Sequence, residues 1–303
     1  MPAAAAVQGA GAWSARLWRQ LGLLAGMVRL EEVLFSMPLA FAGALLGARG
    51  WPPLRTVLWI ALAVAGGKIG GMAFNRFVDR DLDARHPETA GRHLPAGLVS
   101  PFAALAVGVL GLLALTVSAV LLNPLCTVLV PVLIGLVVVY SFTKRWGWGC
   151  HFALGSIGFC LPFAGWIAVT GRATPAALLF GLASACWYAG FDSMYALRDV
   201  VWDRRLGVHS LPADLGVPAT LAIARAAHLC FLAGLVWLGR LLALPWPYWA
   251  AVAVAALALT WQHTLTTRLL RPVAFARFNT AVSVALLAGL ALAALTGMGA
   301  MGG

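Results

Sequence analysis

Long apolar runs, each separated from the next by a short polar cluster, fill the chain from residue 31 onward. Runs long enough to cross a bilayer fall at 31–48, 54–76, 99–121, 124–141, 149–170, 174–197, 217–239, 243–264 and 275–297, because a hydrocarbon core needs about 20 apolar residues in a helix. Pro38, Pro124, Pro131 and Pro162 lie within or beside these runs, which a membrane bundle tolerates where neighbouring groups recover the freed carbonyls. The pattern predicts an all-α, polytopic membrane protein with nine transmembrane helices. Residues 1–29 read as an N-terminal tail with a short interfacial segment, and 30–303 as one transmembrane domain.

Composition sharpens this picture. Of 303 residues, 62% are hydrophobic and 10% charged, and the mean hydropathy is +0.90, so a water-soluble enzyme is a poor fit. The 13 Trp suit anchoring at membrane interfaces. A net charge of +11 would admit nucleic acid, but the basic residues are spread between apolar runs. They suit an anionic lipid face instead, so membrane lipid is the expected surface partner and nucleic acid is not. The five Cys have no metal-knuckle or redox spacing and read as small core residues.

Charge also sets the orientation. With the N-terminus inside, 16 basic residues fall on the cytoplasmic side and Arg49, Arg55, Arg172 and Arg240 on the other, with Lys68 inside a span. All ten acidic residues lie at or near the same cytoplasmic side. The predicted setting is a multi-pass protein of the cell inner membrane whose chemistry faces the cytoplasm. The long polar connections 77–98 and 198–216, after the second and sixth spans, are where function should concentrate.

Those two connections hold the acidic clusters. In the run Asn75-Arg-Phe-Val-Asp79-Arg-Asp81-Leu-Asp83, residues four apart share a helix face, so Asn75, Asp79 and Asp83 form one stripe and Asp81 points away. Lys68 lies on the same stripe, deeper in the membrane, where an anionic partner would offset its cost. Asp192, Asp199 and Asp203 repeat the seven-and-four spacing and are expected to present a second such face. Clustered carboxylates repel one another unless a cation compensates, and magnesium, shared between carboxylates and phosphate oxygens, suits them. Arg92, Lys144, Arg145 and Arg198 are the candidate anion partners, with Tyr140 beside the pair Lys144-Arg145. Arg76, Arg80 and Asp81 read as a solvated edge, and the six His as residues without metal-type pairing. Phe35, Met37, Phe41, Phe159, Phe163 and Trp187 offer an apolar lining for an isoprenoid tail, or plain helix packing. An intramembrane charge can also mark a transporter, but here the charges gather at one face.

These motifs resemble the UbiA superfamily of intramembrane prenyltransferases, and within it the 4-hydroxybenzoate polyprenyltransferase group with its menaquinone-pathway relatives. The resemblance is carried by Asn75 to Asp83, by Arg92-His-Leu-Pro-Ala-Gly97, by Tyr140 to Arg145, and by Gly190 to Asp203 followed by Gly207-Val-His-Ser-Leu-Pro212. It implies a UbiA-like bundle and a magnesium-dependent enzyme that transfers a polyprenyl group from polyprenyl diphosphate to an aromatic acid in quinone biosynthesis. It favours 4-hydroxybenzoate, with a menaquinone-pathway precursor as the alternative. By the same resemblance, Asn75, Asp79, Asp83, Asp199 and Asp203 would hold metal and diphosphate. Arg92 and Lys144 would contact diphosphate, and Asp192 would shape the acceptor side or support the second motif. The chain departs from the subgroup in reading His86-Pro87-Glu88-Thr89 where Asn-Pro-Arg-Thr is frequent, in Glu31-Glu32, and in having Lys68 in place of Arg.

Overall fold

The computed structural model describes residues 18–28, 31–269 and 275–296. The expected tail at 1–17, and the domain boundary at 29–30, lie outside the described residues. A helix α1 covers 18–27. It is followed by α2 (Glu31–Ala48), α3 (Leu54–Arg85), α4 (Pro101–Leu122), α5 (Pro124–Thr143), α6 (Cys150–Thr170) and α7 (Pro175–Tyr195). After a 3-10 turn at Ala196–Arg198 come the short α8 (Val200–Leu206) and α9 (Leu211–Asp214), then α10 (Val217–Leu241), α11 (Trp246–Leu269) and α12 (Phe275–Leu295). Among the described residues nine of these helices have 18 residues or more, and they coincide with the nine apolar runs.

Six of the long helices, α3, α4, α5, α6, α10 and the Ala276–Leu295 part of α12, are long and apolar enough to cross a membrane. Helices α7 and α11 are diluted by Trp, Tyr, Ser, Gln, His and Asp side chains. In α2 the apolar stretch is the shorter Ser36–Ala48. The outer surface is apolar, with Leu58, Leu62, Leu110, Val128, Leu229, Leu257 and Leu292 all exposed. Exposed Trp51, Trp237 and Trp246 lie near one end of the bundle, and Trp18, Trp146 and Trp148 near the other. That places a polytopic membrane bundle with an aromatic residue level at each interface.

Starts and stops follow local rules. Ser100, Asn123, Thr174 and Ser210 each accept a backbone N–H at the start of a helix whose first turn contains Pro. Asn123 also donates to the Ile167 carbonyl at 2.8 Å, tying the α4–α5 turn to α6. One large core joins α2, α6, α7, α10, α11 and α12 around Trp187, Phe231, Leu235 and Tyr248. A second joins α2 to α6 around Ile60, Leu115 and Ile167. The motif helix α3 is seated on α4 by glycine contacts: a Cβ on Gly111 would stand 2.6 Å from the Gly70 nitrogen and 2.7 Å from the Gly66 oxygen. Small residues thus let the two backbones approach, as helix pairs in lipid require.

The sequence reading ended the second span at 76, whereas α3 continues to Arg85, so the whole first acidic run is helical. The reason is its composition: Arg, Leu and Ala between the acidic residues continue a helix readily in water, and hydropathy alone cannot see that continuation. The connection at 86–100 is then a compact set of turns, packed through Leu94 and Val99 against Met27 and Ala73.

Candidate active site

Residues from α3, α5, α6, α7, α8 and the turns between them converge on one open pocket with a cavity of about 210 Å³. Its lining includes Asn75, Asp79, Asp83, Arg92, Tyr140, Lys144, Asp192, Asp199 and Asp203, all expected from the sequence. The helical stripe is realised: Asp79 and Asp83 are 3% and 5% exposed, while the Asp81 side chain is 76% exposed and sits beside Arg80 at 3.6 Å.

Each buried carboxylate of α3 faces a cation supplied from elsewhere. Lys144, the residue capping α5, donates from Nζ to Asp79 Oδ2 at 2.5 Å. Arg92 Nη1 donates to Asp83 Oδ1 at 2.7 Å. Arg145 Nη2 donates to the Val78 carbonyl at 2.8 Å and stands 3.8 Å from Asp79 Oδ1. Arg76 Nη1 stands 3.8 Å from Asp83 Oδ2, so a residue read as a solvated edge adds its charge to the site. The inner oxygens Asp79 Oδ1 and Asp83 Oδ2 are buried without a hydrogen bond. Such oxygens are costly unless a cation or an N–H reaches them.

The second cluster is built differently from expectation. A single face carrying Asp192, Asp199 and Asp203 would require one continuous helix. Instead α7 ends at Tyr195, a 3-10 turn follows, and Asp199 stands between that turn and α8. The periodicity argument fails there, although all three carboxylates still line the pocket. Gly207, at φ 66, closes α8 with a left-handed turn that glycine adopts without strain. The chain then returns to Ser210, whose hydroxyl donates to Asp203 Oδ2 at 2.8 Å. Burial pushes the Asp203 carboxyl above its ordinary value; the Ser210 bond opposes this and the neighbouring Asp199 charge adds to it.

Asp192 is held by His151 of α6. Leu211 donates its backbone N–H to His151 Nε2 at 3.1 Å, which leaves the ring proton on Nδ1, and Nδ1 donates to Asp192 Oδ2 at 2.7 Å. His86 and His209 also line the pocket. His151 and His86 were not singled out by sequence spacing, because their carboxylate partners Asp192 and Asp199 lie far along the chain, whereas His209 pairs with nearby Asp214; a His at the start of an apolar run, as His151 is, was the available signal. Lys68, Arg145 and Arg198 are not among the lining residues. Lys68 stands eleven residues before Asp79 on α3, about 16 Å of helical rise, whereas Arg198 is bonded to the pocket residue Asp199. Trp187 is not a tail-channel residue either: it is fully buried and stacked on Phe231 at 5.5 Å. Phe35 has its side chain outside the described residues.

A buried carboxylate pair countered by Lys and Arg, opposite a second carboxylate pair, can accept a polyanion together with a cation. Known proteins match the chain closely over most of its length. The model of the UbiA prenyltransferase family matches residues 36–284. A 4-hydroxybenzoate octaprenyltransferase from Cupriavidus necator is 33% identical over 90% of this chain and 98% of its own length. Among solved structures, the apo form of a UbiA homologue from Aeropyrum pernix K1 superposes with a TM-score of 0.80 at 31% identity, covering 87% of this chain and 98% of that one. A UbiA homologue from Archaeoglobus fulgidus bound to GPP and Mg2+ shares the fold at a TM-score of 0.69 and 15% identity, over 90% of this chain and 99% of that one. With family model, sequence and fold in agreement over nearly the whole chain, this protein belongs to the UbiA prenyltransferase family, enzymes that transfer prenyl groups within membranes.

Proposed function

We propose that the protein transfers a polyprenyl group from polyprenyl diphosphate to an aromatic acid, with 4-hydroxybenzoate as acceptor and magnesium at the diphosphate. What carries this is the pairing of two buried carboxylates with two partly exposed cations, Lys144 on Asp79 and Arg92 on Asp83, in one pocket with Asp199 and Asp203. The acceptor is supported by the name of the Cupriavidus necator relative, and the metal by the ligands of the Archaeoglobus fulgidus homologue.

The residues fit magnesium. Asp79 and Asp83 each keep a buried oxygen with no hydrogen bond. Magnesium commonly takes one or two carboxylates and completes its shell with water and substrate phosphate. Asn75, Asp79 and Asp83 would hold it on one side and Asp199 and Asp203 on the other. When bound, it would neutralise charge on the departing diphosphate.

The chain's own groups supply the rest. Lys144, Arg92 and Arg145 can turn from the carboxylates to the diphosphate oxygens, with Tyr140 and Arg198 flanking them. As the bond from the allylic carbon to oxygen breaks, the electron pair leaves with diphosphate. A ring carbon of the acceptor then forms the new carbon–carbon bond and the ring loses a proton. Asp192, held in place by His151, borders the acceptor. Membranes given magnesium, a labelled polyprenyl diphosphate and a panel of aromatic acids test this directly. Labelled product is expected with 4-hydroxybenzoate; product from a menaquinone-pathway acid alone would transfer the assignment to that acceptor.

The proposed topology is nine crossings, with 30–303 as the membrane domain and the pocket facing the cytoplasm, in line with the 16 to 4 division of basic residues. Reporter fusions after Thr89 and after Arg205 are both expected on the cytoplasmic side. Either one reporting the opposite face defeats this orientation.

A further inference from the structure

Two of the residues by which this chain departs from the run Asn-Pro-Arg-Thr, His86 and Glu88, converge on the adjacent pair Arg198 and Asp199. Glu88 Oε2 stands 3.3 Å from Arg198 Nη2. Arg198 donates from Nε to Asp199 Oδ1 at 3.2 Å and from Nη1 to the Tyr195 hydroxyl at 2.5 Å, with its guanidinium 4.5 Å from the Tyr195 ring centroid. His86 reaches the same carboxylate, with Nε2 3.7 Å from Asp199 Oδ1. The Glu88 backbone N–H donates to His86 Nδ1 at 3.2 Å, so the neutral ring carries its proton on Nε2, facing Asp199. That Nε2 is buried and makes no hydrogen bond, and the ring is packed by Trp202 at 5.9 Å.

Asp199 needs such support. It follows a 3-10 turn and precedes α8, so no continuous helix fixes it. Its partners come from its neighbour Arg198 and from the turn that ends α3. We propose that His86 and Glu88 form a clamp from the end of the first acidic motif to the second, holding Arg198 and Asp199 where Asp199 meets the metal-bound diphosphate. This rests on the proposed function and adds positioning residues to it. A cation at position 88 would repel Arg198. The anion found here draws it in, and the two departures therefore act as one unit.

The clamp predicts an effect on diphosphate that bypasses the acceptor. Binding of inorganic diphosphate with magnesium to the purified full-length protein, followed by calorimetry, should weaken roughly three- to fivefold in Glu88→Gln, the range of one partly exposed ion pair. His86→Phe, which keeps a ring against Trp202 but has no Nε2–H, should weaken it similarly. The double variant Glu88→Gln with Arg198→Gln should be no worse than Arg198→Gln alone, since both act through one contact. The KM for the acceptor and the melting temperature should stay at their wild-type values. Wild-type diphosphate binding in both single variants overturns the clamp, as does a loss accompanied by a lower melting temperature and a raised acceptor KM, which would mark a merely structural cap. Failure of the wild-type protein itself to bind magnesium and diphosphate or to transfer a prenyl group would instead overturn the proposed function, and the clamp with it.

Discussion

Asp79→Asn and Asp199→Asn are each expected to lower prenyl transfer by ~100-fold or more, the scale of removing one group that meets developing charge, while Asp81→Asn stays within about twofold, as surface changes usually do. The three carboxylates lie within two sequence motifs, but their surroundings differ. Asp79 is almost fully buried and turned into the pocket, and Asp199 lines the same pocket from the second motif. Asp81 is two residues from Asp79 yet lies on the outer face of α3, against Arg80. Replacing a carboxylate by its amide keeps shape and removes the charge that a magnesium–diphosphate pair would meet. The measurement is initial transfer rate in membranes at saturating magnesium, with the amount of inserted protein matched by immunoblot. An Asp81→Asn loss as large as that of Asp79→Asn would show that burial and face do not decide which carboxylates matter.

That contrast between Asp79 and Asp81 was readable from sequence because both lie on one unbroken helix, where a period of 3.6 residues separates the faces. The nine long helices were readable for a similar reason: lipid demands long apolar runs, and caps such as Asn123-Pro124 and Thr174-Pro175 mark where they begin. The second acidic cluster was only half readable. Its residues were identified, but carrying helical periodicity from Asp192 to Asp203 crossed the break after Tyr195, which no hydropathy pattern announces. The supporting contacts were not readable at all. His151 is 41 residues from Asp192 and 60 from Leu211, and such pairings exist only after α6, α7 and α9 have packed. His86 and Glu88 were visible as departures, but their meaning required Arg198 to be brought beside them.

Lys144→Met should differ from Asp79→Asn in sign of effect on the fold even though both abolish the same ion pair. In Lys144→Met the Asp79 carboxylate, 4% exposed at its side chain, loses its nearest cation, and a buried charge left without its partner is strongly destabilising. Arg145, 3.8 Å from the other oxygen, offers partial relief only. In Asp79→Asn the group left behind is Lys144, whose side chain is 29% exposed and whose flexible stem can carry the ammonium to water. The melting temperature of the detergent-solubilised protein should therefore fall in Lys144→Met and hold or rise in Asp79→Asn, while transfer falls about 100-fold in both if Lys144 turns to the diphosphate during the reaction. Lys144→Arg keeps the charge but replaces a compact ammonium by a planar fork, so it should recover stability more fully than turnover. Equal melting temperatures for Lys144→Met and Asp79→Asn would mean that Asp79 is satisfied without Lys144, and that the cation stands in the pocket for the substrate alone.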